Sequence, residues 1–176
     1  YFTELKPAMM VLSAPELYNG QTTEAILAKA RMLFQQLAQK TDWPLELMIP
    51  CEAKKYKDWQ EPLKANDHIS ISYYNNTPIE GWKWFEFWSF RRGFGMPRPH
   101  NVLIPSLTLA VTQRFKKIYV IGADHNWTKD LFVTDDNRVV LTQMRFYDPK
   151  DKKPAPMHKG GTGERKLHEV LEKFMI

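Results

Sequence analysis

The sequence predicts an α/β protein with a mostly parallel sheet, helices on both faces of that sheet and a small β-hairpin. Short apolar runs alternate with amphipathic stretches of helical period along most of the 176 residues. One apolar run, residues 118–121, lacks polar alternation, which is typical of a central parallel strand covered on both faces. The sequence contains no internal repeat, so we expect a single domain over residues 1–176.

Each predicted strand is an apolar run bounded by turn-forming residues. The strands are predicted at 8–14, 45–51, 68–74 and 118–121. The clearest helix has Thr22 or Thr23 as its N-cap, apolar residues three or four apart, and an end near Lys40. Further helices are predicted over 53–64, from about His100 with Pro105 in its first turns, and from Thr162 or Gly163 onward.

The last third of the chain contains a hairpin pattern. Two short apolar runs, 131–133 and 139–143, flank the turn-forming residues 135–137, which predicts a β-hairpin. Residues 146–163 are rich in Lys, Pro and Gly and predict a loop.

Composition excludes several classes of protein. A hydrophobic content of 43% is typical of a globular protein, and no apolar run is long enough to span a bilayer. Cys51 is the only cysteine, which excludes an intrachain disulfide and a cysteine-rich zinc site and fits a reducing cytoplasm. No histidine pair has the spacing of a metal site with a third ligand nearby, so we expect no bound metal.

The formal net charge of +5 favours anionic partners. The basic residues are scattered, and no nucleic-acid module accompanies them, so we expect no nucleic-acid partner. The small cluster at Lys54, Lys55 and Lys57 is interpreted as a solvated face.

The beginning of the chain is unusual. It starts at Tyr1 without a methionine, and neither a G-x-G-x-x-G nor a Walker pattern occurs anywhere. We therefore expect a piece of a longer protein, in which a glycine-rich first loop precedes Tyr1 if the fold has one.

Polar residues follow two of the predicted strands. Asp124 and His125 come just after the strand at 118–121, and Asn75 follows the strand at 68–74. Ligands of open parallel sheets bind beyond the carboxyl ends of the strands, so these side chains are candidates for one cleft. The alternative is structural: Asp124 caps the following turn, and His125 packs against Trp127.

The segment from Asn101 to Asp124 resembles the bacterial sialyltransferases that act on lipooligosaccharide, and the uncharacterised proteins similar to 6-hydroxymethylpterin diphosphokinase. Both groups have a helix of small residues, a turn of the type G-Y/F-K-x-I-Y and a strand ending in G-x-D. Residues 114–124 read RFKKIYVIGAD at this point. The later pattern H-x-x-x-T/S-x-x-x-x-L is matched from His158 through Thr162 to Leu167.

The resemblance implies a Rossmann-like fold and a glycosyltransferase. By position, His158 becomes the general base that takes the proton of the acceptor hydroxyl, a role suited to imidazole at neutral pH. Asp124, His125 and Asn126 become contacts of the donor phosphates or the acceptor, with Trp127 and Asn75 as further substrate contacts. The enzymes place tyrosines just after the G-x-D strand, whereas residues 125–127 here contain none.

Under this interpretation the chain needs no cofactor. Its partners are a nucleotide-activated sugar and a glycan acceptor at the cell surface. Two alternatives stay open: transfer of diphosphate from ATP to a pterin-like alcohol, which needs Mg²⁺ held by carboxylates, and a non-catalytic module that binds nucleotides or glycans.

Aromatic residues are concentrated between residues 82 and 94, together with Arg91 and Arg92. They are Trp82, Trp84, Phe85, Phe87, Trp88, Phe90 and Phe94. The preferred interpretation is core or subunit-interface packing, which allows a homo-oligomer. The alternatives are an acceptor pocket, where aromatic faces stack on sugar rings, and peripheral contact with a membrane, which would place the protein at the inner face of that membrane.

Overall fold

The structure is a computed structural model that describes residues 1–123, 127–136, 138–142, 153, 155–156 and 166–168. The chain folds into two compact units, Tyr1–Tyr119 and Val120–Ile176. The single domain expected from the sequence stays a prediction.

The first unit contains a parallel three-stranded sheet. Its strands are β1 (Met9–Val11), β2 (Leu45–Pro50) and β3 (Ile69–Tyr74), in the order β1-β2-β3, and both pairings are parallel. The strands predicted at 8–14, 45–51 and 68–74 are therefore confirmed, the first in shorter form.

Helix α2 (Glu24–Lys40) joins β1 to β2, and Thr23 is its N-cap residue, as predicted. The apolar stripe of α2 packs on one face of the sheet. Phe34 and Leu37 are buried there in a cluster that also contains Leu45, Leu47 and Ile49 of β2. This cluster is the larger hydrophobic core of the unit.

A second cluster uses the alternate residues of the strands, whose side chains point to the opposite face. It contains Met48 of β2, Tyr74 of β3, Met96, and Leu109 of helix α4 (Leu103–Thr112). The helix predicted from about His100 is thus confirmed, and Pro105 lies in its first turn.

Shorter helical segments complete the first unit. They are α1 (Phe2–Leu5), α3 (Lys83–Arg91) and the 3₁₀ helices Pro15–Leu17, Cys51–Lys55 and Asp58–Ala65. The single helix predicted over 53–64 is wrong in form, since two 3₁₀ segments replace it. Pro62 lies inside the second segment and has no N–H for an α-helical hydrogen bond.

The second unit contains a small antiparallel sheet, formed by β4 (Leu131–Val133), β5 (Val139–Leu141) and β6 (Ala155–Pro156). The predicted hairpin is confirmed by the pairing of β4 with β5. Strand β6 falls inside the stretch predicted as loop, and it pairs with β5. The predicted final helix lies mostly outside the described residues.

The strand predicted at residues 118–121 is wrong. These residues belong to the described part of the chain, where they form no strand and are exposed, with Ile121 at 91%. The prediction relied on apolar composition, but the β-propensity of a segment is realised only when a partner strand and a covering face are present. Within the described sheet, β1 pairs with β2 and β2 with β3, and neither outer strand pairs with this segment.

The aromatic residues at 82–94 are predicted to pack in the core or at a subunit interface; core packing is wrong for most of them, and interface packing stays a prediction. Six of the seven are exposed: Trp82, Trp84, Phe85, Phe87, Trp88 and Phe94.

A bilayer-spanning helix needs about 20 apolar residues. None of the helices in the described part of the chain combines the required length and hydropathy.

Candidate functional site

The carboxyl ends of β1 and β2 lead into a cleft. After β1 the chain forms the 3₁₀ helix Pro15–Leu17 and turns at Gly20, whose φ of 69° suits glycine. After β2 it enters the 3₁₀ helix Cys51–Lys55 directly. This is the edge of a parallel sheet at which ligands generally bind.

The cleft has a volume of about 490 Å³, within the range of roughly 300–1,000 Å³ that small-molecule sites occupy. The loop after β1, helix α2 and the two 3₁₀ segments after β2 supply its walls. The lining residues include Tyr18, Asn19, Ala30, Arg31, Phe34, Lys55, Tyr56, Lys57, Asp58 and Trp59.

The floor of the cleft is apolar and fixed by core contacts. Phe34 and Trp59 are buried, and their ring centroids are 5.4 Å apart. The indole Nε1–H of Trp59 donates a hydrogen bond of 3.1 Å to the carbonyl oxygen of Ala53. Rigid aromatic side chains of this kind give a binding site a preformed shape.

Three cationic side chains and one carboxylate line the cleft. Arg31 lies on α2, while Lys55, Lys57 and Asp58 follow β2, and all four are exposed. Arg31 Nη1 is 3.0 Å from Glu24 Oε1, on the preceding part of α2. The excess of positive charge in the lining favours an anionic ligand.

Tyr18 is the residue of the cleft lining that most needs an explanation. It is only 5% exposed, and its hydroxyl has no hydrogen-bond partner among the described residues. A buried polar group without a partner costs about 1–3 kcal/mol of stability, so such groups are rare in native proteins. A ligand oxygen that displaces the atoms enclosing this hydroxyl would supply the missing partner.

The surroundings of Tyr18 keep its hydroxyl protonated. Burial, and then the nearby carboxylate of Glu52, raise the pKa of Tyr18 to about 12, with Tyr56 and Glu16 contributing less. The rings of Tyr18 and Tyr56 are 6.1 Å apart and tilted by 42°. Any tyrosine is a hydrogen-bond donor at physiological pH, and the raised pKa keeps the Tyr18 phenol a donor in more alkaline solution as well.

Hydrogen bonds also order the neighbouring strand end. The Tyr74 hydroxyl donates to the carbonyl oxygen of Leu12 at 2.9 Å, and burial raises the pKa of Tyr74. Gln60 Nε2 donates to the hydroxyl of Tyr73 at 3.2 Å, and the ammonium of Lys54 lies 4.6 Å from the Tyr73 ring centre. These contacts hold the carboxyl ends of β1 and β3 in place.

Most of the site residues predicted from the sequence lie outside the described residues. These are His158, Asp124, His125 and Asn126. Their roles stay predictions. The strand at 118–121 that was expected to present Asp124 and His125 at a sheet edge is not formed.

The two remaining predicted site residues are described. Trp127 begins the 3₁₀ helix Trp127–Asp130. Asn75 follows β3 as expected, and its side chain is used within the chain: Nδ2 donates to the Phe94 carbonyl oxygen at 2.6 Å, and Oδ1 accepts from the Thr77 N–H at 3.0 Å. Asn75 thus holds the loop after β3, and its substrate contact stays a prediction.

The cleft residues themselves are not predicted from the sequence as a site. Lys55 and Lys57 are interpreted there as a solvated face; both are exposed, and both also line the cleft. Their position directly after a buried strand is the signal that could have found them. Tyr18 gives no signal, because its burial depends on β2 and β3, which are distant in sequence.

The described residues hold no group of three or more His, Cys, Asp or Glu side chains that could bind a metal ion. In the comparisons with known proteins, no family model, curated protein or solved structure matches the chain.

Proposed function

We propose that the chain is a glycosyltransferase with a Rossmann-like fold, which binds a nucleotide-activated sugar in the cleft at the carboxyl ends of β1 and β2. The observation that carries the proposal is the composition of this cleft. Its apolar aromatic floor fits the base of a nucleotide, and its three cationic side chains fit the phosphates. Its unpartnered buried hydroxyl fits the ribose.

The phosphate contacts follow from the charges. The ammonium groups of Lys55 and Lys57 and the guanidinium of Arg31 are suited to phosphate oxygens, because charge-assisted hydrogen bonds are the stronger ones. Tyr18 donates its O–H to an oxygen of the same ligand. Tyr56, half-buried at the wall, offers a ring face to the base.

The transfer step uses the resemblance to the lipooligosaccharide sialyltransferases. His158 takes the proton of the acceptor hydroxyl while that oxygen forms a bond to the anomeric carbon. The bond from the anomeric carbon to the phosphate oxygen breaks, and the nucleotide leaves with the electron pair. The resemblance alone gives Asp124, His125 and Asn126 contacts with the donor phosphates or the acceptor, a glycan of the cell surface; the nucleotide contacts argued from the cleft are those of the first unit.

The experiment that tests this proposal is a calorimetric titration of the chain with nucleoside monophosphates, nucleoside diphosphates and nucleotide sugars, including cytidine monophosphate-sialic acid. We expect saturable binding of one nucleotide sugar and of its nucleotide. Binding confined to ATP with Mg²⁺, and lost with excess chelator, would contradict the proposal and favour diphosphate transfer.

The role of His158 is tested by the His158→Ala variant. We expect release of free nucleotide from the donor, measured with a panel of oligosaccharide acceptors, to fall by about 10²-fold or more, because general-base catalysis contributes at least this much. Nucleotide affinity should stay within a factor of about two, since the base acts on the acceptor. Unchanged turnover would remove His158 from the mechanism.

A further inference from the structure

Helix α3 exposes its apolar face and buries a polar residue. Trp84, Phe87 and Trp88 are spaced i, i+3 and i+4 and thus share one face of the helix. They are exposed by 68%, 62% and 47%. Ser89, on the inner face, is only 1% exposed, and its hydroxyl has no hydrogen-bond partner among the described residues.

The six exposed aromatic residues of this region are here called the aromatic surface: Trp82, Trp84, Phe85, Phe87, Trp88 and Phe94. Five of the rings form an unbroken series of neighbours, Trp82–Trp84–Phe85–Trp88–Phe94, with centroid distances between 5.4 and 6.4 Å, and Phe87 shares the exposed face of α3 with Trp84 and Trp88. Contiguous exposed apolar areas on a protein usually mark an interaction site.

Positive charges border the aromatic surface. Lys83 begins α3, Arg91 ends it and Arg92 follows, and all three side chains are exposed. The nearest acid on the helix, Glu86, is half-buried, and its carboxylate accepts a hydrogen bond of 2.9 Å from the Gly81 N–H. The border is therefore cationic, which fits an anionic partner.

A hollow of about 760 Å³ between α3 and α4 adjoins the aromatic surface, and its lining includes Phe87 of that surface and Arg91 of the cationic border. Its remaining lining is mainly apolar, and it holds a second guanidinium, that of Arg114. Apolar walls together with two guanidinium groups fit an amphiphile with an anionic head.

We propose that the aromatic surface docks on an anionic phospholipid bilayer. The indole rings occupy the headgroup interface, where tryptophan is enriched, and the phenylalanine rings enter the acyl boundary. Lys83, Arg91 and Arg92 contact lipid phosphates. A second copy of this chain fits less well, because it would bring the same cations face to face. The inference stands independently of the nucleotide site.

The test uses vesicles of equal parts phosphatidylcholine and phosphatidylglycerol, compared with vesicles of phosphatidylcholine alone. We expect cosedimentation with the anionic vesicles, which high salt weakens. Each basic residue near an anionic surface contributes about fivefold to partitioning. The Arg91→Gln, Arg92→Gln double variant should therefore bind the anionic vesicles roughly tenfold or more weakly than the wild type. Trp84→Gln with Trp88→Gln should weaken it by a similar factor by removing the inserted rings.

The matched controls lie elsewhere in the first unit. Lys29→Gln with Lys40→Gln removes the same charge from α2, and Phe115→Gln removes an exposed ring outside the aromatic surface. Both should bind vesicles like the wild type, with unchanged circular dichroism for all variants. Equal binding by the α3 variants and these controls would overturn the proposal. The absence of vesicle binding would also overturn the proposal. If sedimentation velocity then shows a dimer that the Trp84→Gln, Trp88→Gln double variant abolishes, the aromatic surface is an interface between two copies of the chain.

Discussion

At the scale of single residues, Tyr18 links stability to the proposed function. Its ring fills the larger core cluster, while its hydroxyl is buried without a partner among the described residues. A group placed this way lowers the stability of the free protein and becomes useful when a ligand pairs with it. Sites that bind ligands often carry such a cost.

The Tyr18→Phe variant separates these two effects. Because it removes an unpaired buried hydroxyl, the free energy of unfolding in urea should rise by about 1–3 kcal/mol, while nucleotide affinity should fall by several-fold. Tyr119→Phe alters an exposed tyrosine and serves as the control. A loss of stability in Tyr18→Phe would show that the hydroxyl has a partner and would contradict this account.

Alkaline pH tests the environment of Tyr18. Because the pKa of Tyr18 is raised from 10.0 to about 12, ionisation of this phenol leaves the free energy of unfolding unchanged below about pH 10 and lowers it as the pH rises from 10 to about 12. The unfolding free energy should therefore decline over this interval, and less steeply in Tyr18→Phe. An equally steep decline in the two proteins would show that Tyr18 ionises freely in the folded state.

At the scale of elements, the sequence predicts those whose signals are local. Helix α2 has a cap, a clear apolar period and an end, and it forms where expected. The run at 118–121 has the composition of a buried strand, but composition does not show whether a partner strand is available for pairing. In the structure the segment is exposed. The cleft could not be predicted from the sequence for a similar reason, because its walls come from three segments that only the folded sheet brings together.

Gly95 shows how closely two segments after β3 approach. Met96 N–H donates to the Thr77 carbonyl oxygen at 3.0 Å, and Ile79 N–H donates to the Met96 carbonyl oxygen at 3.1 Å. A Cβ at Gly95 would collide with the Thr77 carbonyl oxygen and lie 2.8 Å from Ile79 Cδ1.

The Gly95→Ala variant should therefore lose about 1–3 kcal/mol of stability, because an added methyl in a filled space forces backbone shifts. Urea unfolding followed by tryptophan fluorescence measures this change. Stability within experimental error of the wild type would mean that these segments separate at little cost.

At the scale of the whole molecule, the first unit presents two surfaces suited to anions. The cleft lies beside the core cluster that contains α2, and the aromatic surface lies on α3. The net charge of +5 predicts a preference for anionic partners but not where they bind. Folding concentrates a few of the 25 basic residues next to aromatic rings at these two places.

The proposed function requires that the cleft after β1 and β2 bind the phosphates of a nucleotide. Its most direct test is calorimetric titration of the Lys55→Gln, Lys57→Gln double variant with the nucleotide that the wild type binds most tightly, beside the Lys29→Gln, Lys40→Gln variant of equal charge. We predict about a tenfold or greater loss of affinity in the first variant, since hydrogen bonds to charged groups contribute roughly 1.5–3 kcal/mol, and wild-type affinity in the second. Equal affinities in the two variants would contradict the proposed function and place any nucleotide site elsewhere.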